Sequence, residues 1–279
     1  MKLSVYNEII SLIRTYKTRD ALPQIAEQYP GVSLNALGSI YAQEYQKKMR
    51  KTHHIHYHTD KMEMYYDLYQ SRLQNGQKHI LSHMAEEIDL SPALLARIIV
   101  ERHLSRTQYN GENAPKSFVT QLMKDPSLIS DPVLATEVHE CVLSDDQYGS
   151  LVDSIKHSIG HEYEFKLKYN LDSHGIPYIG EEQMRARGYD KTPDTKLEVP
   201  ISVDGHIVNW IESKASFGDE YSNKTYLKDQ YWSYWNRFGP GMVIYWFGFI
   251  DELNCLQDKG IVLRDSFPEN IVKLNPLMK

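Results

Sequence analysis

One stretch of the sequence, residues 192–217 (TPDTKLEVPISVDGHIVNWIESKASF), constrains the fold most strongly. Its two arms carry alternating apolar residues and are joined by Asp204-Gly205, and an Asp-Gly pair between β-rich arms is a strong hairpin signal. Asp194 then lies near the open end of the first strand, and Glu212 and Lys214 lie near the open end of the second. Two carboxylates and an amine brought together on a sheet can hold a divalent cation and position a water molecule beside it.

The register of this hairpin decides whether the three charged groups share a face of the sheet. A two-residue loop pairs Thr195 with Lys214 and places Asp194 on the face opposite to the other two charges. A three-residue loop, or an equivalent bulge, pairs Lys196 with Lys214 and puts all three charges on one face. We expect this second arrangement, because it separates charged from apolar side chains. The alternative is a surface hairpin whose charges are solvated.

The rest of the sequence predicts an α+β protein with a helical first half. Periodicity and capping residues predict helices from about residue 5 to 51, 59 to 104, 117 to 143 and 150 to 170, with breaks at turn residues. Strands are predicted near residues 176–179, 242–249, 261–263 and 271–274, with helices near 181–187 and 226–237. We therefore expect a helical, helix-turn-helix-like region at 1–110, a helical connector at 111–149 and a mixed sheet flanked by helices at 150–279.

The charge distribution limits where a nucleic acid could bind. The chain of 279 residues has a net charge of -6, with +3 in residues 1–110 and -9 in the remainder. The dense basic run at the predicted end of the third helix is the candidate for phosphate contacts, and it comprises Lys47, Lys48, Arg50 and Lys51. Cations at a helix C-terminus also complement the helix dipole, so this alternative stays open. The histidines that follow, at positions 53, 54, 56 and 58, are predicted to lie in a solvated linker.

Composition also indicates the cellular environment. No apolar run is long enough to span a membrane, and the first residues lack the apolar core and cleavage site of a signal peptide. The two cysteines, Cys141 and Cys255, have no metal-site spacing. So few cysteines, without a secretion signal, favour a reducing compartment. We expect the protein in the nucleus and the cytoplasm, with no membrane partner.

Several long motifs resemble a known family. The segments YDKTPD at 189–194, HIVNWIESKASFGDE at 206–220 and DQYWSYWNRFGPGMVIYW at 229–246 resemble the codanin-interacting nucleases of animals, as do EYQKKMRKTH at 44–53 and YGSLVDSIKHSIGHEYE at 148–164. The order of the elements resembles the PD-(D/E)xK nuclease superfamily, including Holliday-junction resolvases. The resemblance implies a nuclease-like domain at 150–279 and codanin as a protein partner.

The resemblance also implies a set of site residues. Glu162, Asp194, Glu212 and Lys214 would be catalytic, Glu164 is the second choice for the carboxylate of the long helix, and Gln230 matches a polar position near the site. Asp194, Glu212, the carbonyl of Ser213 and Glu162 would then bind Mg2+ or Mn2+ for hydrolysis of DNA phosphodiesters.

Three functions stay open from the sequence. The first is a metal-dependent, structure-selective DNA endonuclease that acts with a codanin-type partner in chromatin and erythroid-type differentiation. The second is a catalytically weak or inactive adaptor with a nuclease fold that binds codanin and chromatin factors. The third is a DNA-binding regulator that uses only the helical half, and it leaves the second half unexplained.

Overall fold

The computed structural model describes residues 1–274, apart from the side chain at position 258, and confirms an α+β protein. Contacts divide the chain into two compact units. The first combines residues 1–41 with those from 158 onward, and the second comprises residues 42–157. The boundaries fall within helices α3 and α9, so these units do not coincide with the sequence-based division at residues 110 and 149. The reason is that the first helices pack with apolar residues of the C-terminal half, including Phe217 and Ile250.

The first unit contains a mixed six-stranded sheet in the order β1-β2-β3-β4-β5, with β6 paired to β2. β1, β2 and β3 are antiparallel, whereas β3, β4 and β5 are parallel. The strands are β1 (Tyr178–Gly180), β2 (Thr195–Val203), β3 (His206–Lys214), β4 (Gly241–Tyr245), β5 (Ile261–Arg264) and β6 (Ile271–Lys273). The helices are α1 (Leu3–Tyr16), α2 (Leu22–Gln28), the start of α3 (Leu34–His56), most of α9 (Ser150–Ser173), α10 (Glu181–Ala186), α11 (Glu220–Tyr226) and α12 (Trp232–Phe238).

Apolar clusters cover both faces of the sheet. On one face, Leu167 and Leu171 of α9 pack on Ile211 and Met242. On the other face, Trp210 packs with Tyr231 and Tyr234. The indole N–H of Trp210 donates to the carbonyl of Gly239 at 2.8 Å, which satisfies the polar atom of a fully buried ring. β4 is buried along its whole length, as expected for a short apolar strand between two neighbours.

The second unit is helical. It contains the rest of α3, α4 (Thr59–Gln74), α5 (Ile80–Glu87), α6 (Pro92–Thr107), α7 (Lys116–Lys124), α8 (Pro132–Ser144) and the start of α9. Ser91 and Asp131 cap α6 and α8, each followed by a proline at the first helical position. Fully buried side chains such as Tyr69, Leu95 and Ile99 form its core.

Two sequence predictions need correction. The predicted histidine linker is wrong, because α3 continues to His56, whose ring is nearly buried and whose Nδ1 lies 2.8 Å from the hydroxyl of Tyr65. The predicted three-residue hairpin loop is also wrong. Val203 pairs directly with His206, and both loop residues, Asp204 and Gly205, have positive φ, as a two-residue hairpin turn requires.

Among residues 1–274, no helix is both long enough and apolar enough to cross a membrane.

Candidate active site

A bulge in β2 sets the register of the hairpin at its open end. The pairing shifts between Lys196, which pairs with Trp210, and Ile201, which pairs with Val208. Pro200 lies in this interval and is exposed, which fits a residue that cannot donate a ladder hydrogen bond. The predicted pairing of Lys196 with Lys214 is therefore wrong, since Lys196 pairs with Trp210, but a bulge is present and places Asp194 and Glu212 on one face, as expected.

As a result of this bulge, Asp194 and Glu212 lie beside each other. Thr195 pairs with Ile211, so the residue before Thr195 faces the residue after Ile211. Oδ2 of Asp194 accepts a hydrogen bond from the N–H of Ser213 at 2.7 Å. Oε2 of Glu212 accepts one from the N–H of Asp194 at 3.3 Å. Each carboxylate is thus held by the backbone of the opposite strand.

Lys214 completes this cluster from the end of β3. Its Nζ lies 2.6 Å from Oε1 of Glu212 and donates to Oε1 of Gln230 at 3.1 Å. The ring of Tyr226 lies 4.7 Å from the same ammonium, which is a cation–π distance. The solvated-hairpin alternative does not hold, because Glu212 is only 3% exposed.

An irregular helical turn carries Gln230 to the lysine. Residues Leu227–Tyr231 form a π-helical turn between α11 and α12. Such turns contain one extra residue per turn and recur at functional sites. Here the turn lets Gln230 face Lys214 while Tyr231 is fully buried against the sheet. The sequence predicts a helix in this region but gives no signal for the π turn.

Burial and mutual repulsion perturb the ionisation of the cluster. Burial, and then the charge of Glu212, raise the pKa of Asp194 well above its ordinary value, against the opposing effects of the Ser213 N–H and Lys214. Burial also raises the pKa of Glu212, although Lys214 opposes this shift. Burial disfavours the charged form of Lys214, but the charge and hydrogen bond of Glu212, together with the charge of Asp194, outweigh it, so the pKa of Lys214 is raised. The lysine is therefore a permanent cation at neutral pH.

The two carboxylates of α9 lie in different environments. Glu162 is exposed, whereas Glu164 is half-buried. The charge of Glu164 also contributes to the raised pKa of Asp194. Glu162 is not among the groups that perturb the pKa values of Asp194, Glu212 or Lys214. The structure therefore brings together Asp194, Glu212, Lys214 and Gln230. Of the two α9 carboxylates, Glu164 is the less exposed and is the one whose charge acts on Asp194.

Other residues near the cluster were missed by the sequence analysis. The pKa of Tyr234 is raised by burial and then by the charges of Glu212 and Asp194, so its hydroxyl lies in their field. The charge of Glu181 also contributes to the raised pKa of Glu212. Tyr234 follows Gln230 by one helical turn, and this spacing was the available signal.

The oxygen atoms of the cluster fit a hard divalent cation. Within residues 1–274, Oδ1 of Asp194 accepts no hydrogen bond, so this oxygen is available to a ligand. No group of three or more potential metal-binding side chains occurs in the described part of the chain. Two carboxylates are nevertheless sufficient for Mg2+, which keeps several water molecules and often uses one or two carboxylates together with substrate phosphates. The donor set thus suits Mg2+ or Mn2+ better than a softer metal.

The predicted basic run lies at the end of α3, and part of its charge is paired. Nζ of Lys47 lies 3.0 Å from Oε1 of Glu44, and Nζ of Lys48 lies 2.5 Å from Oδ2 of Asp89. Lys51 is exposed, and so is Arg50. Ion pairs at the surface are weak and exchange readily, so the run keeps the capacity to contact phosphates.

Fold and site together define an α+β protein with a buried Asp–Glu–Lys cluster at the open end of a hairpin. A family model described as "Protein of unknown function TPD sequence-motif" matches residues 130–267, and the chain carries Thr-Pro-Asp at 192–194 within that range. A relative from Xenopus laevis, named "CDAN1-interacting nuclease 1", is 50% identical and covers 98% of this chain and 90% of its own length. Relatives of the same name from Homo sapiens and Gallus gallus are 48% and 45% identical and cover 96% and 98% of this chain and 96% of their own lengths.

The chain therefore belongs to the CDAN1-interacting nuclease 1 family. No solved structure matches it.

Proposed function

We propose that this protein is a nuclease that hydrolyses DNA phosphodiesters with Mg2+ or Mn2+, and that its site has the PD-(D/E)xK arrangement. The observation that carries the proposal is the buried cluster of Asp194, Glu212 and Lys214 at one edge of the sheet. Burying two carboxylates beside each other costs stability, so a cluster of this kind points to function more than to folding. The names of the relatives support a nuclease activity.

The residues of the cluster have distinct roles in this proposal. Asp194, Glu212 and the carbonyl of Ser213 hold the cation, which supplies Lewis acidity to the scissile phosphate when bound. Lys214 stays protonated, and its Nζ donates hydrogen bonds that orient the attacking water and offset charge on the phosphate. Gln230 and Tyr226 hold the ammonium in place. Glu164 supplies the carboxylate of α9 in preference to Glu162, our first choice from sequence.

The protein partner in this proposal is codanin, because the names of the relatives state an interaction with CDAN1. We also propose that the protein is located in the nucleus and the cytoplasm. Nucleic acid is proposed to contact the basic run of α3, which comprises Lys47, Lys48, Arg50 and Lys51. The second candidate function is an adaptor of low or no catalytic activity. The charge of -9 after residue 110 favours it, since acidic residues outnumber basic ones in the half that contains the cluster, and this repels a polyanion.

The test is cleavage of single-stranded, flap and branched DNA, and of RNA, with Mg2+ or Mn2+. The wild type is compared with Glu212→Gln, and Glu198→Gln is the matched control because Glu198 is an exposed glutamate of the same hairpin. We expect metal-dependent cleavage by the wild type and by Glu198→Gln, and its loss in Glu212→Gln. If the wild type cleaves none of these substrates and still binds codanin, the adaptor function replaces the nuclease function.

A further inference from the structure

An aromatic group lies at the same edge of the sheet as the catalytic cluster. β3 and β4 are parallel and end at Lys214 and Tyr245, so the residues after Tyr245 emerge beside the cluster. The indole N–H of Trp246 donates to Oγ of Ser213 at 2.8 Å, and the N–H of Ser213 holds Asp194. The aromatic ring thus bonds directly to Ser213, whose carbonyl is a proposed metal ligand and whose N–H holds a second one, Asp194.

We propose that Trp246, Phe247 and Tyr163, which we call the aromatic platform, bind an unstacked nucleobase of the substrate. The ring of Tyr163 lies 5.4 Å from that of Trp246 and 5.3 Å from that of Phe247. All three rings are only partly buried. This inference deepens the proposed nuclease function and rests on it, since it names the substrate feature that the site selects: a single-stranded or locally unpaired nucleotide.

An open cavity provides the space for a base. Its volume is about 460 Å³, and its lining includes Trp246, Phe247, Tyr29, Ser33 and Lys2. This volume lies within the range of ~300–1,000 Å³ that is typical of small-molecule sites. The cavity thus combines ring faces for stacking with a hydroxyl, an ammonium and the carboxylate of Asp265, which can contact the polar edge of a base.

The charges near the platform fit a nucleotide. Nζ of Lys166 lies 4.7 Å from the ring of Trp246 and 5.4 Å from that of Tyr163. Lys166 is exposed and forms no ion pair within residues 1–274. A cation beside ring faces suits a base with its phosphate, and it opposes a cationic ligand such as a methylated lysine. Because every base has a ring face, we expect little sequence preference.

The test is a binding measurement without catalysis. Fluorescein-labelled deoxythymidine oligonucleotide and an abasic oligonucleotide of equal length are titrated with the full chain in EDTA. Both strands present the same phosphates, so the ratio of their dissociation constants isolates the contribution of the bases. Base stacking contributes about 1–3 kcal/mol per base, so the wild type should bind the base-containing strand about 5- to 150-fold more tightly.

Variants assign that ratio to the platform. Trp246→Ala and Tyr163→Ala should bring the ratio close to one, whereas Trp246→Phe should keep most of it, although it loses the bond to Ser213. Tyr169→Ala is the matched control, because Tyr169 is an exposed tyrosine of the same helix, 63% exposed. Circular dichroism confirms that each variant is folded. If the wild type binds both strands equally, or if Trp246→Ala and Tyr163→Ala keep the wild-type ratio, the platform does not bind bases.

Failure of the aromatic platform to bind bases is distinguishable from failure of the proposed nuclease function. Cleavage with Mg2+ but no base-dependent binding would overturn only the platform. Base-dependent binding without cleavage would overturn only the nuclease function.

Discussion

The ammonium of Lys214 lies 2.6 Å from a carboxylate oxygen of Glu212, and both groups are largely withdrawn from solvent. The exposed fractions of the two side chains are 17% and 5%, so neither can be solvated if its partner is lost. Loss of either partner should therefore destabilise the fold, because an unpaired buried charge is costly.

Lys214→Ala should therefore destabilise the first unit in the absence of metal, by about 3–5 kcal/mol, since it leaves Glu212 buried and unpaired. The double variant Lys214→Ala/Glu212→Gln should recover most of this loss. Tryptophan fluorescence during urea unfolding in EDTA measures it selectively, because all four tryptophans lie in residues from 158 onward. A double variant as unstable as the single one would assign the effect to lost packing.

Asp194→Asn should stabilise the protein without metal at about pH 8, by about 1–2 kcal/mol, because it removes a charge from a buried like-charged pair. The pKa of Asp194 is raised on folding, so the folded state binds more protons than the unfolded state between the ordinary and the raised pKa. Wild-type stability therefore increases as pH falls through this window, and the advantage of Asp194→Asn shrinks. Thermal unfolding across a pH series measures the difference, and a constant difference would contradict the shift.

Adding Mg2+ should reverse the order of stability. The cation stabilises the wild type by mass action, since it binds the folded state, whereas Asp194→Asn has lost a ligand. The comparison needs only the midpoint of thermal unfolding with and without Mg2+, and it is independent of any nuclease assay. Equal shifts in both proteins would show that Asp194 does not bind the cation.

Glu164→Gln and Glu162→Gln form a matched pair on α9. We expect Glu164→Gln to lower the pKa of Asp194 and to weaken Mn2+ affinity about 10- to 100-fold, as loss of a supporting carboxylate does. Glu162→Gln should leave both unchanged, because its side chain is exposed. Calorimetric titration with Mn2+ measures the affinities. The opposite ranking would restore the sequence-based choice of Glu162.

Gly241→Ala should unfold or strongly destabilise the first unit. A Cβ at position 241 would overlap the fully buried indole ring of Trp210. Gly38→Ala is the control, since a Cβ there meets nothing within 4 Å and the residue lies inside α3. We expect this control to stabilise by about 0.5–1 kcal/mol. Tryptophan fluorescence in urea compares the two variants.

The second unit should lose stability as the solution is acidified. Burial, and then the nearby charges of His53 and Lys61, lower the pKa of His56. The unfolded state therefore binds more protons below the ordinary pKa of histidine, and the unfolding free energy falls as pH decreases through that value. Hydrogen exchange of peptides from residues 42–157 measures this, and His56→Gln should reduce the pH dependence.

Most elements of the fold could be predicted from the sequence, because their signals are local. The Ser91-Pro92 start of α6 and the Asp204-Gly205 turn both depend on a few adjacent residues. The length of the hairpin loop could not be derived, since the bulge near Pro200 compensates for the shorter turn. For this reason the sequence correctly predicts Asp194, Glu212 and Lys214 on one face of the sheet, although the residues that pair across the two strands differ from those predicted.

The site was predictable to the extent that it lies on the hairpin. A single hairpin register brings together Asp194, Glu212 and Lys214. The choice between Glu162 and Glu164 depends instead on the rotation of α9 against the sheet. Residues two positions apart lie on different sides of a helix, and only tertiary packing decides which side faces the cluster. The π turn that positions Gln230 has no sequence signature of its own.

The discontinuous first unit has a consequence for the order of folding during synthesis. The second unit, residues 42–157, is continuous, so its core can close as soon as it leaves the ribosome. The first helices must wait for partners more than 200 residues later in the chain, such as Glu252, whose carboxylate accepts the N–H of Leu3 at 3.0 Å. Contacts of such long separation form slowly. Until translation reaches that point, the apolar stripe of α1 can pack only on α2 and the start of α3, and the part of its core that Phe217 and Ile250 supply stays open.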